Sequence, residues 1–429
     1  MPVRLLAEVM EMGEFVIDQF PGLMCLETDP ITGEMFKGTH DGAIIAITDK
    51  GTIRQRWDCH SDYVWDLALD DQGRWVATAS QDGSVTIRKR SNGKHVETLL
   101  YHKGPVTTVD FSPCGHLIAS GSIDRLVTVH EVATGERITI LAKHEGYVEK
   151  VLFHPDGDHI LTASHDGKIR YWEARSGELE QEADLKSGYL WDLAWLDDGT
   201  EVAVATEKGG ILILDMNDLS IKSSMIVHQG AVRSLYSHPD WGCFVSGGDD
   251  GKVLLWSSRL RECIATVTRH GGSVHGVGIN TKNENIVSIG ADRLTSHHPV
   301  NDLLKEEIEP FVLAGLQWNV ARRIVFGLTD RKSAIRILQA EAALPGMSEV
   351  LLAADIPAND IPKVVEDITW WGKEHPQILE GLREGRITYH TARSMIEDWG
   401  LMGNDEAIDY ILRGADLELV ALRYGYGTD

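Results

Sequence analysis

The sequence predicts an all-β ring of small antiparallel sheets followed by a helical domain, and three observations carry that expectation. A short segment recurs: YVWDLA at residues 63–68 returns as YLWDLA at 189–194, a separation of 126 residues, or three steps of 42. A fixed period of this size marks a repeat architecture. Turn residues keep the same step: Asp41, Asp82, Asp124, Asp166, Asp250 and Asp292 each precede a glycine or similar turn residue between two alternating apolar stretches, and Lys208 fills the gap. The period stops after Gln339, where helix-forming residues with proline and glycine punctuation take over.

Each unit reads as strand, turn, strand, turn, because β-branched and aliphatic residues alternate around Gly, Asp and Asn. Segments such as SQDGSVTIR and GDDGKVLLW show the pattern. Four short strands per unit follow. A four-stranded sheet cannot bury both faces alone, so such sheets stack radially and close into a ring. A weaker match, LTDRKSAIRIL around Asp330, comes 38 residues after Asp292 and predicts an eighth sheet; the count is seven if that unit is degenerate. Closure needs a fastener. The first complete unit begins near Leu23, and the last ends near Gln339 with three recognisable strands, so residues 3–9 are expected to supply its missing outer strand.

Histidine is a second periodic residue: His60, His102, His144, His228 and His270, with Lys186 continuing the register. Trp172 and Trp256 stand six residues after their marker Asp, and Thr162 and Ser246 four residues before it. This combination resembles the WD-repeat family over about residues 1–339. The resemblance implies an eight-bladed, alternatively seven-bladed, β-propeller closed by the N-terminal strand. It also implies structural tetrads, His144, Thr162, Asp166, Trp172 and His228, Ser246, Asp250, Trp256, in which Asp accepts from His, and His and the indole meet at the hydroxyl. Such a network satisfies buried polar groups together. Arg88, His130 and His298 stand at the tryptophan position elsewhere, so those sets are partial. Lys186, Val204, Lys208 and Leu214 replace all four members in one unit, which is expected to rely on apolar packing.

In the family, the innermost strand of each blade opens with a bulge whose side chain, and the one two positions earlier, point to the top rim, as does the residue before the marker Asp. Mapped by the period, the top-face candidates are Tyr63, Trp65, Tyr147, Glu149, Tyr189, Trp191, Glu207, Arg233 and His275. The duplicated hexapeptide is therefore the opening of an innermost strand. Tyr147, Glu149, Tyr189, Trp191, Glu207 and Arg233 are expected to form one patch over three neighbouring blades, with Tyr63 and Trp65 forming a second. Aromatic residues flanked by a few charges have the composition of an interface hot spot. The competing expectation folds Trp65 and Trp191 inward to fill the gaps between blades.

Composition narrows the function classes. With 65 acidic and 41 basic side chains the formal charge is −24, which repels a polyanion, so no nucleic-acid partner is expected. Five cysteines without C-x-x-C spacing suggest neither a disulfide framework nor a zinc clamp, and a reducing, cytoplasmic location fits. No run of 18 apolar residues occurs, and acidic residues interrupt MPVRLLAEVMEMGEF before an apolar run could serve as a secretory signal, so neither a leader nor membrane association is expected. There is no G-x-S-x-G elbow, H-E-x-x-H or glycine-rich phosphate loop, so no catalytic residue, cofactor or metal is expected. HPDGDHI, residues 154–160, gathers imidazole and carboxylate but occupies a hairpin turn position, and His297 and His298 are strand neighbours that point to opposite faces.

Residues 340–429 carry 17 acidic and 7 basic side chains. Capping signals at Ser348, Asp360 with Pro362, Thr388 and Asn404 predict four or five short helices. Ile361, Val364, Ile368 and Trp371, then Ile408, Ile411 and Leu412, recur at helical spacing. One of the adjacent Trp370 and Trp371 is expected to pack within this bundle. The domains are thus expected at 1–339, the propeller, and 340–429, an acidic helical domain. The expected function is a non-enzymatic scaffold or adaptor in a larger complex, its ring holding a partner protein or peptide and its acidic tail a second partner. The alternative is a sensor or regulatory subunit of a signalling or defence complex that recruits an effector enzyme.

Overall fold

The computed structural model describes residues 14–17, 22–29, 32–48, 52–196, 199–313, 318–328, 337, 361–374, 376–383, 386–395, 408 and 411–412. The chain divides into two compact units, Met1–Leu303 and Leu304–Asp429. The first is a ring of seven antiparallel four-stranded sheets. Blades 1 to 6 fall within residues 23–58, 64–99, 106–141, 148–184, 190–226 and 232–269, and in each the four strands follow one another in chain order. Blade 7 takes three strands from residues 274–299 and its outer strand from Glu14–Ile17, which pairs antiparallel with Leu294–Pro299 from Glu14 opposite His297 to Ile17 opposite Leu294.

Two expectations need correction here. The ring has seven blades, not eight, and the closing strand is Glu14–Ile17. Residues 3–9 lie outside the described residues, as does Asp330. The stretch that would have begun an eighth blade is helical at Val300–Leu303, Lys305–Leu313 and Trp318–Val325. Glu306 and Glu307 lie in the first turn of the second of these helices, where carboxylates favour the positive end of the helix dipole. Nor is there a gap to fill: Leu23, Leu26, Met35, Ile45 and Ile47 of blade 1 pack in one buried cluster with Val287 and Ile289 of blade 7.

Similar clusters lie between other neighbouring blades. Val85, Ile87 and Leu99 of blade 2 meet Val106, Val109 and Phe111 of blade 3, and Leu161 and Ile169 of blade 4 meet Leu190, Val202 and Leu214 of blade 5. The second and third strands, covered on both faces, are near-continuous apolar runs such as Ala43–Ile47 and Glu201–Thr206. Outer strands are polar and exposed, as in Ile53–Asp58 and Ile221–Ile226. Blades approach closely at their outer turns: a Cβ at Gly93 would fall 2.2 Å from Nε1 of Trp57 in the preceding blade.

Every innermost strand carries a β-bulge at one place. The register slips between Leu23 and Cys25, Val64 and Asp66, Val106 and Thr108, Val148 and Lys150, Leu190 and Asp192, Val232 and Ser234, and Val274 and Gly276. The skipped residues are Met24, Trp65, Thr107, Glu149, Trp191, Arg233 and His275. A bulged residue leaves the ladder and is re-aimed, here at the mouth of the ring.

In the second unit, helices span Ile361–Glu374, Pro376–Arg383 and Tyr389–Arg393. Ile361, Val364, Ile368, Ile378, Leu382, Tyr389, Ile408, Ile411 and Leu412 are buried. Thr388 caps the third helix by accepting from the Thr391 amide at 3.1 Å. The first helix continues through Gly372 to Glu374. The side chains of Trp370 and Trp371, and residues Ser348 and Asn404, lie outside the described residues.

Candidate functional site

The periodic histidines build the frame of the top face. In blade 6, His228 Nδ1 donates to Asp250 Oδ1 at 2.9 Å, His228 Nε2 lies 2.8 Å from Ser246 Oγ, and Trp256 Nε1 donates to the same hydroxyl at 3.0 Å. Burial, set against the pull of Asp250, keeps His228 below the ordinary histidine range. Blade 4 keeps His144 near Thr162 at 2.8 Å and Trp172 donating to Thr162 at 3.1 Å. Its Asp166 instead pairs with the fully buried Arg170 at 2.9 Å, and burial together with that guanidinium pushes His144 down to about 4. Neutral, structural imidazoles result.

Blades 2, 3 and 7 lack the tryptophan and substitute a hydroxyl that the sequence reading missed. Thr86, Thr128 and Ser296, each four residues after the marker Asp, lie 3.1, 3.0 and 2.6 Å from the second-strand hydroxyls of Thr78, Ser120 and Ser288. Where tryptophan is present, that position is Arg170 or Leu254. The signal was in the sequence as an exchange between two columns of the repeat. In blade 5, Val204 and Leu214 are wholly buried in an apolar cluster.

On this frame the rim aromatics of blades 4 to 6 form a continuous series of contacts. Tyr147 lies 5.4 Å from His165; His165 stacks on Tyr189 at 4.3 Å and 14° and meets Trp191 edge-on at 5.0 Å; Arg233 lies 3.8 Å over the Trp191 ring. His165 Nε2 is 3.0 Å from Glu149, and Arg233 is held by Asp249 through two bonds of 2.7 and 3.0 Å. Glu207 accepts from the Tyr189 amide at 3.3 Å. In blades 1 and 2, His40 stacks on Tyr63 at 4.3 Å, Tyr63 meets Trp65 edge-on at 6.0 Å, and Trp65 Nε1 donates to Gln81 at 2.8 Å. Tyr63, Tyr147 and Tyr189 are 37%, 47% and 44% exposed, whereas Trp65 and Trp191 are half-buried. Trp191 packs on the apolar cluster of blades 5 and 6 while also lining the mouth, so inward packing and rim presentation coexist in one residue. His275 lines the same mouth, and burial, with His40 and Arg233 nearby, disfavours its charged form.

A family model for the WD domain, G-beta repeat, matches residues 51–88, 93–131, 135–173 and 220–257. The ring is a WD-repeat propeller. Each matched repeat runs from the outer strand of one blade through the first three strands of the next, the same offset that leaves Glu14–Ile17 to complete blade 7. A stretch of 83 residues, 19% of this chain, is 26% identical to p21-activated protein kinase-interacting protein 1-like of Danio rerio and covers 22% of that protein's length.

Inside the WD-repeat ring, one further column of the 42-residue period faces the axis. The residue after each bulge is Cys25, Asp66, Thr108, Lys150, Asp192, Ser234 or Gly276. Several reach the innermost strand of the next blade: Asp66 Oδ2 accepts from the Val109 amide at 3.2 Å, Thr108 Oγ1 from Val151 at 3.2 Å, Asp192 Oδ2 from Leu235 at 2.7 Å, and Ser234 Oγ from Val277 at 3.2 Å. Lys150 has no lone pair to offer. Its ammonium crosses the axis instead, 3.3 Å from Asp66 and 3.7 Å from Asp192. Burial works against that charge, but Asp66, Asp192, Asp110 and Glu27 outweigh it and hold the Lys150 pKa above its ordinary value. Burial also pushes Glu27 up to about 8 and Asp110 up to about 7.

Asp156 gathers His154 Nδ1 at 2.9 Å and His159 Nδ1 at 2.7 Å in the HPDGDHI hairpin. Among the described residues, no group of three or more His, Cys, Asp or Glu side chains has the arrangement to hold a metal ion, and no helix is long and apolar enough to cross a membrane.

Proposed function

We propose that the protein is a protein-interaction scaffold whose top face, centred on Tyr147, Glu149, Tyr189, Trp191, Glu207 and Arg233 with Tyr63, Trp65 and His275 across the mouth, docks a partner protein or peptide. WD-repeat propellers serve as interaction platforms and are in general not catalysts, which agrees with this reading. The observation that carries it is the unbroken series from Tyr147 through His165 and Tyr189 to Trp191 and Arg233, with both tyrosines exposed. Rigid rings held by their neighbours lose little freedom on binding, and tyrosine, tryptophan and arginine are the residue types that dominate interface energetics. The similarity to a kinase-interacting protein makes a protein kinase one partner class to test, and it favours a second reading in which the chain is a regulatory subunit that recruits an enzyme. The acidic residues 340–429 would then hold a second partner.

The test is affinity capture with the full chain and with Tyr147→Ala and Tyr189→Ala, followed by binding measurements on the purified partner. Loss of at least tenfold in affinity with an unchanged melting temperature supports the rim. Undiminished binding by both variants removes it.

A further inference from the structure

We propose that the upper chamber of the ring is a seat for one long basic side chain, lysine or arginine, presented by the partner; this rests on the rim being the docking surface. The chamber encloses about 200 Å³, with Trp65 and Trp191 in its walls and Glu27, Asp66, Lys150 and Asp192 deeper on the axis. That is smaller than the ~300–1,000 Å³ of pockets that enclose whole small molecules, and it suits a single extended side chain. A second chamber of about 280 Å³ lies below, and Glu27, Lys150, Leu235 and Tyr236 line both. These residues form the waist that a guest from above would reach.

The chemistry of the floor selects a cation. Three carboxyl groups share one ammonium, and Lys150 stands between Asp66 and Asp192 without a contact closer than 3.3 Å to either. Glu27 receives the amide of Thr28, at 3.3 Å. Burial leaves that carboxyl short of the cation it needs to ionise. An anionic guest meets the opposite situation, because Arg233 is held by Asp249, Lys150 is committed to the aspartates, and burial disfavours a charged His275.

Two observations at the chamber wall bear on the occupant, one calling for an acceptor on its backbone and the other for a cation on its side chain. The indole N–H of Trp191 is buried at the chamber wall with no hydrogen-bond partner; a backbone carbonyl of an entering segment would accept from it. The Trp191 ring already carries the Arg233 guanidinium at 3.8 Å, so this wall takes a planar cation. A basic side chain would lay its aliphatic stem along the indoles and bring its head to the aspartates.

The probes are acetyl-arginine amide and acetyl-lysine amide, with acetyl-norleucine amide as the uncharged control. They are titrated into the full chain carrying ¹⁵N-indole tryptophan, with the Trp65 and Trp191 resonances assigned through Trp→Phe variants. Both basic probes should shift the two indole signals with a Kd of about 1–10 mM, and the norleucine probe should not. Asp66→Asn and Glu27→Gln should each weaken the basic probes about threefold or more, and Lys150→Met should tighten them about threefold, since it removes the internal competitor for the same carboxylates. Equal binding of the arginine and norleucine probes, or affinities unmoved by both Asp66→Asn and Glu27→Gln, overturns the proposal. If the rim variants lose the partner while no basic probe binds, the chamber seat fails and the rim reading stands; if basic probes bind while rim variants retain the partner, the rim reading fails.

Discussion

Replacing Lys150 with methionine keeps the aliphatic stem and removes the ammonium within 4 Å of Asp66 and Asp192. Removing one partner of a buried ion pair costs about 3–5 kcal/mol. The Lys150 side chain keeps 23% exposure on the axial channel, so water compensates part of the loss, and about 2 kcal/mol is the expected cost at pH 8. The cost must depend on pH. At pH 5, Glu27 with a pKa of about 8 and Asp110 with one of about 7 both hold protons, and burial raises Asp192 as well. Fewer negative charges then lack their counter-ion, and the loss falls to about 1 kcal/mol or less. Urea unfolding of both proteins at pH 5 and pH 8, with the m value compared to establish like transitions, measures this. Adding Asp66→Asn to Lys150→Met should recover about 1 kcal/mol at pH 8 relative to the sum of the single changes. A loss equal at both pH values would mean that Lys150 acts through packing, and the electrostatic account of the axis would be wrong.

Three further outcomes follow from the same geometry. The Glu27 carboxyl ionises near 4.5 when unfolded and near 8 in the ring, so between those values the folded state keeps a proton that the unfolded chain has lost, and stability falls as pH rises. Glu27→Gln should therefore match the wild type near pH 4.5 and exceed it by about 2 kcal/mol at pH 8.5, less than half of the ~5 kcal/mol implied by the full gap because the channel admits water; a flat difference between the two proteins across that range would refute it. Trp256→Phe and Thr128→Val, which remove the 3.0 Å bonds to Ser246 and Ser120, should each cost about 1 kcal/mol by denaturant midpoint, and a neutral Thr128→Val would show that the hydroxyl does not replace the tryptophan. Arg125 adopts φ 71° at a turn position where blades 4 and 6 have Gly167 and Gly251; Arg125→Gly should raise the melting temperature, by about 0.5 kcal/mol in stability, and a lower value would mean that the arginine side chain offsets its backbone strain.

The period made the blades legible because it fixes several residue types at once: the turn Asp, the loop His, the second-strand hydroxyl and the bulged strand opening. It failed at the end of the ring, where one rule was extended too far. LTDRKSAIRIL satisfied the turn and alternation pattern, yet the segment before it, KEEIEPFVL, carries acids at its start and apolar residues at helical spacing. Local pattern could not show that blade 1 already meets blade 7, since Leu23 and Val287 are brought together only by closure. The hydroxyls Thr86, Thr128 and Ser296 were missed for a different reason: they stand two residues before the tryptophan position, and only the geometry of the inward-facing histidine shows that either position reaches the same oxygen. Lys150 was hidden because the axial column mixes Cys, Asp, Thr, Lys, Ser and Gly, whose common property is facing the channel.

The bulge explains where this fold leaves room for specificity. A residue in register must suit its neighbours across the ladder, and the flanking positions Val64, Val106, Val148, Leu190, Val232 and Val274 are accordingly all aliphatic and buried. The bulged position has no such constraint, and along the chain it is Met24, Trp65, Thr107, Glu149, Trp191, Arg233 and His275. Nothing in the sheet requires tryptophan at two of the seven. Blade 5 sharpens the point: it has lost every polar member of the tetrad and is held by apolar packing, yet its opening, YLWDLA, nearly repeats that of blade 2, whose tetrad hydroxyl, His60 and Asp82 are intact. What the two blades share is therefore not their internal scaffolding but their contribution to the mouth: an exposed tyrosine, a half-buried indole and, one residue on, an aspartate at the axis.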